Sequence, residues 1–190
     1  YTLDWLDKDE VQKYFGEICD AIWSYAELGL EEYNTADLIE YVMKQYGFKV
    51  DRGVADMPTS VLATYKNGTK GPVIAIMGEF DALPMLSQEA NCHTHTPVVK
   101  GAPGHGCTHN TMATAGAAAT IAVKLAMEEY GIEGTVRYYG SPAEETLISR
   151  PYFVDAGLFD DVDVVIDHHG GDGFGTSYGT GSTAMYSFLV

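Results

Sequence analysis

Apolar residues in the first quarter of the chain recur every three or four positions. This spacing over residues 6–28 predicts one amphipathic helix, and its apolar positions include Val11, Phe15, Ile18, Ile22 and Tyr25. A second helix is predicted over residues 31–48, capped near Asn34 or Thr35 and ended at Gly47.

The pattern then changes to short apolar runs that are typical of strands. Such runs occupy residues 48–54, 59–66 and 71–80, with Pro58 and the turn NGTKG between them. The next segment, residues 81–108, is rich in Pro, His, Gly and Thr and follows neither period. It predicts a long loop, and loops of that length are commonly functional.

The second half of the chain alternates between helical and strand patterns. A helix rich in small residues is predicted over 110–131, a strand over 134–140, a short helix over 151–159 and a strand over 161–169. This order predicts an α/β fold, a three-layer sandwich with a mostly parallel central sheet flanked by helices.

The composition excludes some classes of binding partner and favours one cellular location. A net charge of −16 argues against nucleic acid and against an anionic membrane, which both require a basic surface. No apolar run approaches the roughly 18 residues that a membrane span needs. Three cysteines, an odd count, and a polar start, YTLDWLDKDE, favour a reducing cytoplasmic location.

Acidic or imidazole side chains follow three of the predicted strands directly. They are Glu79 and Asp81, then Glu144 and Glu145, and then Asp167, His168 and His169. Ligands of open α/β sheets bind beyond the carboxyl ends of the strands, so these side chains are expected to converge.

The stretch GAPGHGCTHN adds His105, Cys107 and His109 at alternate positions before the long helix. The N-terminus of that helix is expected to favour a thiolate at Cys107. Thiolate, imidazole and carboxylate together suit zinc, and imidazole with carboxylate also suits manganese. A cysteine nucleophile with His105 or His109 as its base is the other chemical interpretation.

Four motifs, GEFDALP, GHGCTHN, SPAEE and DVDVVIDHH, occur in an order that resembles the M20 metallopeptidases. The resemblance covers about residues 15–190 and is to the amidohydrolase branch, with the B-type subunit of aminobenzoyl-glutamate hydrolases as the nearest type. It implies an incomplete, zinc-peptidase-like catalytic domain. It also implies hydrolysis of an amide bond in a small acyl- or aminoacyl-amino acid, such as aminobenzoyl-glutamate.

The resemblance implies a ligand set for two divalent metal ions, zinc or manganese. Cys107 would bridge the ions, and His109, Glu145 and His169 would bind them. The resemblance also implies a homodimer or hetero-oligomer for the full-length protein.

Two further residues receive catalytic roles from the resemblance. Glu144 would be the general base, and Asp81 would orient a ligand. Glu79 stands at a position where other branches carry a metal-binding His. His105 would support a ligand or contact the substrate.

The chain departs from the family pattern at several points. Thr108 stands where Gly is usual, EETLISRP replaces a glycine-rich stretch, and Gly170 stands where Pro is common. His168 beside His169 leaves open which of the two binds metal.

The resemblance also predicts a division of the chain. Residues 1–181 would be the N-terminal part of the catalytic domain, and residues 182–190 the first strand of a lid or dimerisation domain. A piece of this kind is expected to be inactive alone. The alternative is a noncatalytic metal- or partner-binding subunit that completes a site with a second chain.

Overall fold

A five-stranded sheet lies between two layers of helix in the computed structural model, which describes residues 1–171, 173 and 175. The elements are α1 (Thr2–Leu6), α2 (Asp9–Tyr25), α3 (Tyr33–Gln45), β1 (Lys49–Arg52), β2 (Val61–Asn67), β3 (Val73–Glu79), α4 (His109–Tyr130), β4 (Gly134–Ser141), α5 (Ser149–Asp155) and β5 (Val164–Ile166). Short 3-10 turns occupy Val54–Asp56 and Glu144–Thr146.

The strands are ordered β1-β2-β4-β3-β5 across the sheet. β2 pairs antiparallel with both β1 and β4, whereas β3 pairs parallel with β4 and β5. The predicted α/β sandwich is confirmed, with a mixed sheet: four of its five strands run in the same direction, and two of its four pairings are parallel. The carboxyl ends of β3, β4 and β5 meet at one edge of the sheet, which we call the carboxyl edge.

Side chains that alternate along β3 and β4 divide between two cores, as the pleat of a strand requires. One core lies under α2, α3 and α4 and includes Ile76, Val136 and Tyr138. The other lies on the opposite face and joins Ala75, Met77 and Tyr139 to Phe153 of α5. The helices thus cover both faces of the sheet, which makes the three layers.

The first predicted helix, over residues 6–28, corresponds to the shorter α2, and a separate helix, α1, which was not predicted, precedes it. α1 ends at Leu6, and Lys8 has an extended backbone (φ −70°, ψ 133°) before α2 begins. Asp9 and Glu10 stand in the first turn of α2, where negative charge is favourable. The apolar repeat continues across the break, so periodicity alone did not reveal it.

The start of α3 is capped by a residue that lies well before it in the chain. The backbone N–H groups of Asn34 and Thr35 each donate to the Glu27 carboxylate at 2.9 Å. The side chains of both residues donate to it as well. Asn34 and Thr35 are therefore not the cap that was predicted, and the helix begins at Tyr33.

Helix α4 approaches the sheet so closely that it needs a glycine at the contact. A Cβ atom on Gly116 would lie 2.6 Å from the carbonyl oxygen of Met77 in β3. The buried Tyr138 hydroxyl donates to the Ala113 carbonyl at 3.0 Å. These contacts fix the start of α4, and therefore His109, over the carboxyl edge.

The long loop before α4 is confirmed, because residues 81–108, all of them described, contain no helix or strand. An isolated bridge between Leu83 and Gly104 closes it.

β5 is shorter than the predicted strand over 161–169. The predicted lid strand over residues 182–190 and the boundary at 181/182 lie outside the described residues.

Among the described helices, none is long and apolar enough to cross a membrane.

Candidate metal centre

Side chains from four separate segments meet at the carboxyl edge, as the sequence predicted. Glu79 is the last residue of β3, and its partner in the ladder, Ser141, is the last residue of β4. The turn after β4 carries Glu144 and Glu145. His109, the first residue of α4, lies among these carboxylates.

His109 is the centre of the cluster and is fully buried. Its Nε2 atom lies 2.9 Å from Glu79 Oε2, 3.8 Å from Glu144 Oε2 and 3.7 Å from Glu145 Oε1. Its Nδ1–H group donates to Asp81 Oδ1 at 3.1 Å. The ring therefore directs one nitrogen at a supporting carboxylate and the other at three acidic side chains.

The charge around His109 strongly favours a cation at this position. Burial alone would lower the pKa of His109, but contacts with Asp81 and Glu79 raise that pKa to about 11. The acidic side chains thus hold a proton on the imidazole at neutral pH. A divalent ion would satisfy the same demand for positive charge.

Asp81 is buried and makes two structural contacts at once. While Oδ1 accepts the His109 Nδ1–H, Oδ2 accepts the backbone N–H of Glu145 at 2.9 Å. A carboxylate on the far nitrogen of a histidine is the arrangement that commonly orients metal-binding imidazoles.

A second group of donors lies on the thiol side of His109. The Sγ atom of Cys107 lies 3.2 Å from Nε2 of His169, whose Nδ1–H donates to the Gly170 carbonyl at 2.8 Å. One ligand atom each from Cys107, His109 and His169 lies within 4.8 Å of the others. Glu79, His109 and Glu144 form another such group.

The surroundings of Cys107 do not match the expected thiolate. Burial raises the pKa of the Cys107 thiol, and the charge of Glu145 acts in the same direction. A cysteine nucleophile needs a lowered pKa, so the cysteine-hydrolase interpretation loses its support.

The unpaired atoms of the cluster fit a metal ion. Glu79 Oε2, His109 Nε2 and Glu145 Oε1 are buried and make no well-aligned hydrogen bond among the described residues, although the first two form an ion-pair contact at 2.9 Å. Buried polar atoms are nearly always paired, and these three face one another. Oxygen, nitrogen and sulphur donors in one place suit a borderline divalent ion such as zinc.

Arg150 is a site residue to which sequence reasoning assigned no role. Its guanidinium forms an ion pair with Glu79, donates to Glu144 Oε1 at 3.0 Å and donates to Asp167 Oδ2 at 2.8 Å. Burial raises the pKa of Glu144 and the charge of Glu79 adds to this, while Arg150 opposes it. The sequence feature that could have indicated this role is a basic residue, within EETLISRP, close to the paired acids of an acidic chain.

Glu32 is a second supporting residue that the sequence did not reveal. It is fully buried, and its carboxylate accepts the Ala143 N–H at 2.8 Å and the Thr59 hydroxyl at 2.6 Å. Ala143 has a left-handed backbone (φ +50°) immediately before Glu144. Glu32 thus holds the strained turn that presents Glu144 and Glu145.

His105 and His168 are not brought into either group of donors. The Nε2–H of His105 donates to the Ile22 carbonyl at 3.1 Å, and burial lowers the pKa of His105 to about 4. His105 instead lines a cavity of about 400 Å³ beside Trp23 and Leu86. Of the adjacent histidines, it is His169 that approaches Cys107.

The backbone explains why glycine is usual at the position of Thr108. Thr108 has a left-handed conformation (φ +66°, ψ 19°) at the start of α4. A branched side chain is unfavourable there, whereas glycine is not.

Comparisons with known proteins identify a family and several relatives. Residues 75–185 match the profile of peptidase family M20/M25/M40. The B-type subunit of the p-aminobenzoyl-glutamate hydrolase of Escherichia coli K12 is 43% identical over 155 residues, which are 82% of this chain and 32% of that protein. The A-type subunit from the same organism is 34% identical over 121 residues, 60% of this chain and 27% of that protein.

A solved structure has the same fold. The crystal structure of Bacillus subtilis YXEP protein, a dinuclear metal-binding peptidase from the M20 family, matches with a TM-score of 0.69. The match covers 83% of this chain and 43% of that chain at 24% identity. The chain spans about a third of the length of the curated relatives that it matches.

Proposed function

We propose, from the premise that this chain belongs to peptidase family M20/M25/M40, that it supplies the metal-binding part of an amide hydrolase. The observation that carries the proposal is the convergence of buried, unpaired acid and imidazole atoms on His109. Buried carboxylates this close together repel one another, so the cluster favours positive charge at its centre.

The residues that would hold two divalent ions, zinc or manganese, are Cys107, His109, Glu145 and His169. Support comes from the proximity of Cys107 to His169 and from the unpaired Oε1 of Glu145 facing His109. His169 Nδ1–H donates a hydrogen bond to a carbonyl, so the lone pair of Nε2 is available to bind metal. Metal-binding histidines usually have this arrangement. His169 is therefore preferred to His168 as the ligand.

When bound, the ions would supply Lewis acidity toward water and toward the amide carbonyl. Glu144 would act as the general base: one of its oxygens takes the proton of the attacking water and later delivers it to the leaving nitrogen. Burial raises the pKa of Glu144 above that of an ordinary carboxylate, which makes it a stronger base toward the proton of water. Asp81 would keep His109 and the Glu144–Glu145 turn in place.

The substrate we propose is a small acyl- or aminoacyl-amino acid of the aminobenzoyl-glutamate kind. The similarity to both subunits of the Escherichia coli hydrolase supports this class and supports a hetero-oligomer over a homodimer. A cytoplasmic location stays a prediction; the free state of Cys19, Cys92 and Cys107 agrees with it.

The activity belongs, in this proposal, to a protein of the relatives' length. The chain corresponds to about a third of the Escherichia coli relative, so we expect these 190 residues alone to bind metal without hydrolysing substrate.

A chimaera tests the proposal directly. The chain replaces the matching third of the Escherichia coli relative, and release of aminobenzoate from aminobenzoyl-glutamate is measured. We expect activity that a chelator abolishes and zinc or manganese restores, and that Glu144→Gln lowers by about 100- to 10,000-fold. The unmodified relative is the positive control.

Two outcomes would contradict the proposal: hydrolysis that survives chelation, or a Glu144→Gln chimaera as active as its parent. Metal binding with hydrolysis only after addition of a second chain would instead support the noncatalytic-subunit alternative.

A further inference from the structure

A single guanidinium joins the carboxyl ends of three strands. Arg150, near the start of α5, contacts Glu79 at the end of β3, Glu144 after β4 and Asp167 after β5. In the described part of the chain, no other Lys or Arg forms an ion pair with these carboxylates. Arg150 is thus the shared cation of the carboxyl edge.

The oxygens of the two inner carboxylates are divided between Arg150 and His109. In Glu79, Oε1 contacts Arg150 while Oε2 lies 2.9 Å from His109 Nε2. In Glu144, Oε1 accepts from Arg150 while Oε2 lies 3.8 Å from the same nitrogen. Arg150 therefore occupies the outer oxygen of each carboxylate and leaves the inner oxygen directed at the candidate metal position.

This arrangement opposes the natural tendency of the carboxylates to separate. Glu79 is buried and Glu144 is mostly buried, so their mutual repulsion is weakly screened. A planar guanidinium can bind two carboxylates in fixed directions, which a simple point charge cannot do.

We propose that Arg150 is a positioning residue: it holds Glu79, and the proposed general base Glu144, with one oxygen each toward the position of an ion at His109. This inference rests on the proposed metal-binding function. The contact with Asp167 extends the same role to β5, because Asp167 lies two positions before His169. One side chain thus sets the orientation of acidic groups at the carboxyl ends of three strands.

Removing Arg150 has two effects of opposite sign on metal affinity. Loss of a positive charge beside the site would, by Coulomb's law alone, strengthen the binding of a cation. Loss of orientation would weaken it, and removing groups that orient metal ligands typically lowers affinity by about 10- to 100-fold. The direction of the change therefore distinguishes a positioning residue from a competing charge.

The test is a Co²⁺ titration of the wild-type chain and three variants, followed by calorimetry and absorption. We expect Arg150→Met to weaken Co²⁺ binding by about 10- to 100-fold and to alter the d–d bands. Arg150→Lys should recover only part of the loss, because an ammonium lacks the planar fork. Arg52→Met is the matched control, since Arg52 also bridges two carboxylates, Asp37 and Glu40, away from the site.

Thermal unfolding of the metal-free variants separates a loss of orientation from a loss of fold. If Arg150→Met does not fold, Arg150→Lys decides: weaker binding at an unchanged Tm supports the inference, and unchanged binding overturns it. Equal or tighter binding by a folded Arg150→Met also overturns the inference and leaves the proposed function standing. A wild-type chain that binds no Co²⁺ overturns both.

Discussion

At the scale of single residues, the candidate site depends on side chains that make two contacts at once. Asp81 fixes the His109 ring with one oxygen and the Glu145 backbone with the other. Glu32 does the same for Ala143 and Thr59. Sequence patterns pointed to Asp81 because it follows a strand, but Glu32 lies at the start of a helix and carried no such signal.

Asp81→Asn should weaken metal binding by about 10- to 100-fold while the chain stays folded. The new amide keeps the size of the side chain but has only one acceptor oxygen for the two donors that Asp81 now serves. If the NH₂ group of this new amide faces His109 Nδ1, the ring proton moves to Nε2. Nε2 then has no lone pair with which to bind metal. Zinc calorimetry and far-UV circular dichroism would measure the two effects, and unchanged affinity would contradict the assigned role.

Metal binding should release protons, and its apparent affinity should therefore rise with pH. The pKa of His109 is raised to about 11 and the pKa of the Cys107 thiol is also raised, so both groups carry protons at neutral pH. A metal ligand must be deprotonated, and each proton released raises the affinity by about tenfold per pH unit below its pKa. Calorimetry in buffers of different ionisation enthalpy counts the protons; an affinity independent of pH between about 6 and 8 would exclude these ligands.

At the scale of secondary structure, the placement of His109 depends on how α4 packs against β3. The predicted helix and strands appear within a few residues of their expected bounds, because their apolar periods are strong and their ends carry Gly or Pro. The break at Lys8 and the Glu27 cap of α3 were missed. Both arise from contacts or backbone geometry that a local apolar pattern does not encode.

Gly116→Ala should destabilise the chain by about 1–3 kcal/mol, because its methyl group would overlap the Met77 carbonyl. Gly16→Ala is the matched control: Gly16 is exposed within α2, with nothing within 4 Å of an added Cβ. That change should stabilise by about 0.5–1 kcal/mol through helix propensity. Urea unfolding gives both values, and two changes of the same sign would contradict the close α4–β3 contact.

At the scale of the whole molecule, the topology turns four separate motifs into one site. The sequence allowed the prediction that polar groups after strands would converge, because parallel strands share a carboxyl edge. It did not allow the prediction of Arg150, which reaches Glu79 across 71 positions of the chain. Contacts of that kind depend on the strand order and the register, which local patterns leave open.

The proposed function of the carboxyl edge depends on its binding a divalent ion, and the proposed ligand set centres on Cys107. The most direct measurement is elemental analysis of the dialysed chain after loading with zinc or manganese. We predict near-stoichiometric metal in the wild type and in Cys92→Ala, which removes a free thiol outside both donor groups. We also predict its loss in Cys107→Ala. Absence of metal from the wild type, or its full retention in Cys107→Ala, would contradict this binding mode.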